Sequence, residues 1–507
     1  MGSGARSEMN HDVQLSRPAR LAAGLGAGSE REAVQTFSNK RILVRIEEEF
    51  AANGDAKETF RLAINQILRF CPNVAVAVPA ASHELIGEAN LLKREIYEST
   101  EDIPTVSAER DFFKFDAIVN VGVRVDQDLP WIGINSSGWL ARVATWRSQM
   151  MYLPWTPAVP NPCGAHAAAC LGSGLAFLTI LGKEPAVARE MSLLTHEEGN
   201  LGSLDSGTAL PRQSLEIDAF VVGCGAVTNG WAYTTKTLPI VGKVQAVDRQ
   251  SLKIENIGPY VLAKHSLLNR PKVTIIEGYL APQIKVTPRP EEWELFKIRL
   301  KFGLVVPSIV VNGLDNVLTR HSVQRLWPAT LIDMAAGGLN SQIIVKKQQT
   351  EAICLLQALQ VPTDEIDWAE RLAQQIGVSA ERIRNEPTSE ITQADIDATD
   401  SSHRSKLRSG TQICGRITEQ NLTMEGYDPD FAPAVPFVTC FSGVVGAAET
   451  MKYLMGISGS FHYQRNFLSS RGRALQMKCN SSCECRREQG RFALLTGSTT
   501  EVSDAKQ

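Results

Sequence analysis

The segment DAFVVGCGAVTNG limits what this chain can fold into more than any other stretch. Ile217 to Val222 reads as a strand, and Gly223 and Gly225 stand between it and a helix-forming run. A strand that ends in a glycine turn and passes directly into a helix opens a parallel α/β layer. Glycines there let a nucleotide approach the backbone at the helix start, where free N–H groups await a phosphate. Asp248 lies 25 positions after Gly223, at the end of the next strand, Val244 to Val247, where a carboxylate can accept from two ribose hydroxyls. Thr228 stands where the dinucleotide pattern has its third glycine, so the turn indicates an adenine nucleotide without specifying nicotinamide. The plainer alternative is a tight strand-to-helix turn with no ligand.

Around this unit the 507 residues provide for two to four domains. The first forty or so are rich in Gly, Ala, Ser and Arg and read as a mobile arm, 1–39. Residues 40–200 alternate strand and helix: strands at Arg41 to Ile46, Val74 to Val78, Ala117 to Val123 and Trp131 to Ile134. Asp55 and Glu58 make a capping-box-like helix start, a helix covers His83 to Tyr97, and a small-residue helix runs from Cys163 to Leu181. A polar linker, roughly Glu184 to Arg212, leads to a second α/β half over 213–353 and 430–470. Its further strands are read at Val273 to Ile276, Val305 to Val311, Leu331 to Met334 and Gln342 to Val345. LAFLTILG near the end of one half and ETMKYLMG near the end of the other suggest a weak internal repeat. Residues 354–429 interrupt the alternation as an insertion, and 471–507 form a tail.

A near-balance of 52 Lys+Arg against 55 Asp+Glu leaves no basic field for nucleic acid or an anionic membrane. With no apolar run of membrane-spanning length and no secretion-signal core at the start, the expected location is cytoplasmic.

A second motif, VVNGLDNVLTRH, places Asp315, Asn316 and Arg320 at the carboxyl end of a strand, where open α/β sheets bind their ligands. An acid there suits Mg²⁺ beside a triphosphate, with Arg270 and Lys272 supplying positive charge; hydride transfer has no use for it. The alternative is an Asp that caps the next helix, with Arg320 on a solvated face.

These residues together resemble the adenylation domain of the ubiquitin-activating enzymes and their ThiF-type bacterial relatives. The run DRQSLKIENIGPYVLAKHSLLNRPK is similar to that family's segment from ribose acid to lysine pair, and APAVPFVTCFSGVVGAAETMKYLMG to its closing helix. The resemblance implies ATP and Mg²⁺ as cofactors, Asp248 on ribose, Asn256 and Lys272 on phosphates, Arg270 in a place usually held by lysine, and Asp315 on Mg²⁺. Pro259 stands where the family has a phosphate-contacting arginine. It further implies two Rossmann-like lobes forming an intramolecular pseudodimer. The first would be inactive, since RILVRIEEEFAAN lacks a glycine pair, and could lend a cation to the second. The implied partners are a ubiquitin-like protein, adenylated at its carboxyl terminus and passed as a thioester through an enzyme cysteine, and a conjugating enzyme. The compact form is most similar to enzymes of bacterial ubiquitin-like conjugation operons, some of which serve in phage defence.

For the thioester, Cys414 in RSGTQICGRIT has Lys406, Arg408 and Arg416 near it in sequence, a setting that favours thiolate. Cys354 is the other candidate. Cys224 sits in the glycine turn, Cys440 on the apolar closing helix, and Cys71, Cys163 and Cys170 in the first half; buried, inert thiols are the expected state of all five. Cys479, Cys483 and Cys485 could offer thiolates to one zinc ion, with Cys354 as a fourth ligand, although the spacing is not the paired Cys-x-x-Cys form; a cysteine-bearing tail without metal is the alternative. Two rival functions stay open on sequence alone: an adaptor that binds nucleotide or modifier without turnover, and an NAD(P)-dependent oxidoreductase.

Overall fold

The computed structural model describes residues 3–300, 305–348, 350–359, 377–385, 391–399, 433–469 and 471–486, with single positions at 370, 373, 404 and 409. Two mixed sheets organise the chain. The first contains β1 (Ile42–Ile46), β2 (Val74–Ala77), β3 (Ala117–Val121), β4 (Trp131–Ser137), β5 (Leu140–Thr145), β6 (Ala188–Ser192) and β7 (Glu198–Gly199), in the order β2-β1-β3-β4-β5-β6-β7. The second contains β8 (Leu215–Val222), β9 (Ile240–Val247), β10 (Ile284–Arg289), β11 (Ile309–Asn312), β12 (Thr330–Gly337), β13 (Asn340–Lys347), β14 (Phe461–Asn466) and β15 (Gly472–Leu475), in the order β10-β9-β8-β11-β12-β13-β14-β15. Each sheet is parallel through its first members and turns antiparallel at a hairpin, β4–β5 or β12–β13. A glycine with positive φ, Gly138 or Gly338, makes each hairpin turn.

The helices in chain order are α1 (Ser3–Gly24), α2 (Glu30–Asn39), α3 (Gly54–Leu68), α4 (Glu84–Tyr97), α5 (Pro162–Ile180), α6 (Ala226–Thr235), α7 (Lys272–Leu280), α8 (Trp293–Leu300) and α9 (Val317–Gln324), followed by a closing helix, Pro436–Leu454. Both α5 and the closing helix begin with proline in the first turn, where its missing N–H costs nothing. Both are buried nearly throughout, and Phe177 of one meets Phe437 of the other at 5.3 Å between ring centroids. The halves therefore share one core. Helix α6 crosses the closing helix at glycines: a Cβ on Gly443 would lie 2.3 Å from Trp231 N, so no larger residue fits. Among the described residues α5 is the one helix long and apolar enough to span a membrane, and it is fully buried.

Several expectations are corrected. The amino-terminal segment is helical, and from residue 14, where its side chains are described, it is packed. Leu15, Ala19 and Ala22 fall on one helical face and are buried, a spacing that small residues disguise in the composition. The stretch read as a linker carries β6 and β7. Helix α3 is capped by Asn53, which accepts from Ala56 N–H, while Asp55 accepts from the N–H of Asn161 at the start of α5. Val273 to Ile276 is helical, since Val273, Ile276 and Leu280 turn to one buried side despite their β-favouring branches. The tail, expected from 471, supplies β15 and further packed residues up to 486.

Across the seam, Arg69 at the end of α3 is fully buried with no carboxylate partner among the described residues. Its guanidinium donates to the carbonyls of Ile257, Val261 (2.9 Å) and Ala263 (3.1 Å) and to Asn65 Oδ1 (2.8 Å). Burial lowers its pKa to about 9, leaving it charged at neutral pH. A second buried cluster joins His196 to Glu449 (2.8 Å) and Lys452 (3.1 Å). Burial, then the Lys452 charge, hold the imidazole below its ordinary pKa. The unfolded chain thus binds this proton first, so stability should fall as pH drops from about 7 to 5, by at most roughly 1.4 kcal/mol per pH unit from this group. Chemical denaturation at the two pH values checks this, with a shallower fall expected in His196→Gln.

Candidate functional site

The strand ends of the second sheet surround a cleft of about 460 Å³. Gly223 has φ +80, and a Cβ there would lie 2.9 Å from the backbone of Gly313, so glycine is required for both conformation and space. Thr228, in the place of a third glycine, donates its hydroxyl to the Gly223 carbonyl and ties the turn shut from beneath. Gly225 precedes α6, and a Cβ there would meet nothing nearer than 3.7 Å, which keeps the helix entrance open. The Asp248 carboxylate follows β9 and accepts from Cys224 N–H (2.8 Å) and Gln250 N–H (2.7 Å). Each oxygen retains capacity for a hydroxyl donor.

Lys272, the first residue of α7, is buried and donates to Gln250 Oε1 (2.6 Å) and the Tyr260 hydroxyl (3.0 Å). Burial alone would lower its pKa, but Tyr260 and the Asp248 carboxylate outweigh that and hold it above the ordinary value. Asp315 is exposed at the cleft and has no hydrogen-bond or ionic partner among the described residues. Asn316 beside it caps α9, accepting from Thr319 N–H at 3.0 Å, so the cap does not account for Asp315. From α1, Arg17 lines the same cleft and pairs with no carboxylate among the described residues. It was not singled out from the sequence; the Leu15, Ala19, Ala22 spacing is the signal that α1 is a packed helix able to place it.

Three expected site residues lie elsewhere or are already engaged. Arg270 falls outside this cleft and lines a different cavity. Asn256 does not line it either; its side chain accepts from Lys253 N–H at 3.0 Å and closes a short turn. Arg320 touches the cleft, but its guanidinium grips the buried Asp333 carboxylate through two bonds, with Asn312 donating to the same group. Cys414, with Lys406, Arg408 and Arg416, lies outside the described residues.

The corresponding position in the first sheet is filled. Glu47 follows β1 as Gly223 follows β8, and its carboxylate accepts from Val123 N–H (3.2 Å), Arg124 N–H (2.9 Å) and the Asn120 amide. A Cβ on Gly122 would strike that carboxyl group. The chain's own carboxylate thus occupies the place that the glycine turn leaves open in the second half.

Cys354, Cys479, Cys483 and Cys485 come together, all four sulfurs within 4.8 Å of one another. Cys483 lies 3.5 Å from Cys354 and 3.3 Å from Cys485, close to the roughly 3.8 Å between thiolates on a tetrahedral zinc. Donor set and spacing fit zinc. Backbone bonds from Ile353 to Met477 and from Cys479 to Glu351 bring the two segments side by side. Cys71, Cys163, Cys170, Cys224 and Cys440 are fully buried, and burial raises the first four thiols above their ordinary pKa.

No protein-family model and no curated protein matches the chain. Among solved structures it is similar to E. coli MccB with MccA-N7isoASN, at 12 % identity and TM-score 0.34, covering 53 % of this chain and 66 % of that one. For E. coli MccB with ATP the values are 11 % and 0.34, covering 55 % and 68 %. Identity and superposition at that level carry no activity across, so function rests on the residues of this chain.

Proposed function

We propose that this protein is an adenylating enzyme that activates the carboxyl terminus of a ubiquitin-like protein with ATP and transfers it to a cysteine thiol. The supporting observation is that the glycine turn, Asp248, Lys272, Arg17 and an unpartnered Asp315 share one cleft. Asp248 accepts from the ribose hydroxyls, and the open start of α6 receives phosphate. Lys272 and Arg17 face the charge that builds on the phosphates as the modifier's carboxylate attacks the α-phosphorus and pyrophosphate leaves. Asp315 would hold Mg²⁺, which when bound neutralises phosphate oxygens. Arg17 takes the part that Pro259 leaves vacant. Asp315 has no function in hydride transfer, which disfavours an oxidoreductase. The first half, its matching position filled by Glu47, is the inactive scaffold.

Cys414 is assigned as the acceptor thiol, on its basic sequence neighbours, and a conjugating enzyme as the next acceptor. Cys354 is withdrawn from that role because it sits within the four-thiol cluster. ATP–pyrophosphate exchange tests the reading: exchange should depend on the modifier, and its absence with every ubiquitin-like protein encoded beside this gene overturns the proposal.

Zinc held by Cys354, Cys479, Cys483 and Cys485 would have a closed, structural role, pinning the carboxyl-terminal segment to the end of β13. Elemental analysis should give one zinc per chain, and Cys483→Ser should lose it together with thermal stability. A metal-free wild-type protein prepared without chelator would count against the assignment.

A further inference from the structure

A second cavity, of about 470 Å³, opens at the seam between α3 and α4 of the first half and α7 of the second. Phe60, Ile64, Leu92 and Ile275 give it an apolar wall, and its size suits a small organic molecule. None of the residues assigned to the nucleotide cleft lines it.

Its polar groups are few and their engagement is uneven. Arg61 is paired with Glu58 and Glu88 (2.7 and 2.6 Å), and Lys264 with Glu95 (2.7 Å). Arg270 is exposed on the lining and has no carboxylate partner among the described residues. One positive charge is therefore uncompensated. Tyr233 and Tyr279, stacked at 5.9 Å, also line the cavity, and neither hydroxyl has a hydrogen-bond partner among the described residues. Burial raises both phenols above their ordinary pKa, so each stays an O–H donor. Two phenol donors and one guanidinium, none of them engaged among the described residues, stand at an apolar wall and match an acceptor that is negatively charged and carried on a hydrophobic body.

We propose that this seam cavity is a binding site for a small amphipathic carboxylate, its apolar body against Phe60, Ile64, Leu92 and Ile275 and its carboxylate taken by Arg270 and the two phenols. Arg270, first read as a phosphate contact, has its use here. Lys272, two residues on, opens the helix whose later residues form this wall.

Decanoate is the probe. Isothermal titration of the full chain should show saturable binding of one decanoate per chain. Arg270→Gln should weaken it at least tenfold, and decylamine, with the same body and opposite charge, should bind at least tenfold more weakly. Gly278 provides the decisive variant: it lines the cavity within α7, and a Cβ there meets no heavy atom within 4 Å. Gly278→Leu therefore adds an apolar side chain on the cavity lining from a position where its Cβ meets no neighbour, while replacing a glycine inside a helix favours the fold. It should abolish decanoate binding with an unchanged or higher Tm. Absence of saturable binding to the wild type, Gly278→Leu binding within twofold of it, or decylamine matching decanoate overturns the proposal. No outcome depends on ATP turnover, so failure here is separable from failure of the adenylation reading.

Discussion

Asp315→Ala should lower modifier-dependent ATP–pyrophosphate exchange by on the order of a thousandfold, about 4 kcal/mol of transition-state stabilisation, while leaving the fold intact. The size follows from what the carboxylate would do: it anchors the cation that offsets phosphate charge, and the other acids lining the cleft among the described residues are ion-paired or, for Asp248, held by backbone N–H groups. Intact folding follows from its surroundings. The side chain is exposed, it makes no bond among the described residues, and the helix beside it is capped by Asn316. Asp248 would be a less clean choice, since its carboxylate also holds the N–H groups of Cys224 and Gln250, and its loss would disturb the turn itself. Exchange is read with labelled pyrophosphate and folding by circular dichroism. Normal exchange in a folded Asp315→Ala protein would remove Asp315 from the mechanism.

Cys414→Ala should still convert one ATP per site into bound adenylate yet form no thioester at all, because adenylation and acyl capture use separate residues. The residues assigned to the nucleotide, Gly223, Gly225, Asp248, Lys272, Arg17 and Asp315, are all left in place by this substitution, so nucleotide chemistry should be untouched. A non-reducing gel with purified modifier and ATP separates the steps: wild type gives a thiol-sensitive adduct and the variant gives none. Cys354→Ala should instead lose zinc and stability while keeping whatever adduct its folded fraction can make. An adduct that persists in Cys414→Ala and disappears in Cys354→Ala would move the nucleophile to Cys354.

What the sequence disclosed and what it concealed divide on range. The strand, glycine turn and helix over 217–235 are set by neighbours in the chain, and the position of Asp248 follows once the next strand is recognised. Asp315 is readable for the same reason, lying just beyond β11. Arg270 and Lys272 looked interchangeable as cations two residues apart, but Pro271 stands between them and α7 begins at Lys272, so they face different cavities. Four residues from Val273 to Ile276 favour a strand locally; burial of one helical face overrides that preference. Arg17 reaches the cleft only because α1 packs beside residues more than two hundred positions away. The thiol cluster joins Cys354 to a segment over a hundred residues later, a proximity that spacing could suggest but not establish.

Arg69 bears on whether this polypeptide is divisible. Its hydrogen bonds hold the carbonyls of residues 257–263, the segment that also presents Tyr260 to Lys272. Each bond from a charged donor to a buried carbonyl is worth roughly 1.5–3 kcal/mol, and an unmet carbonyl costs a comparable amount. A second half expressed alone would lose all three donors at once and expose the aromatic face of the closing helix where Phe177 rests. The halves resemble each other in plan, yet neither is a spare part: a gene split between them should yield a folded protein only when both fragments are made together and meet before either settles.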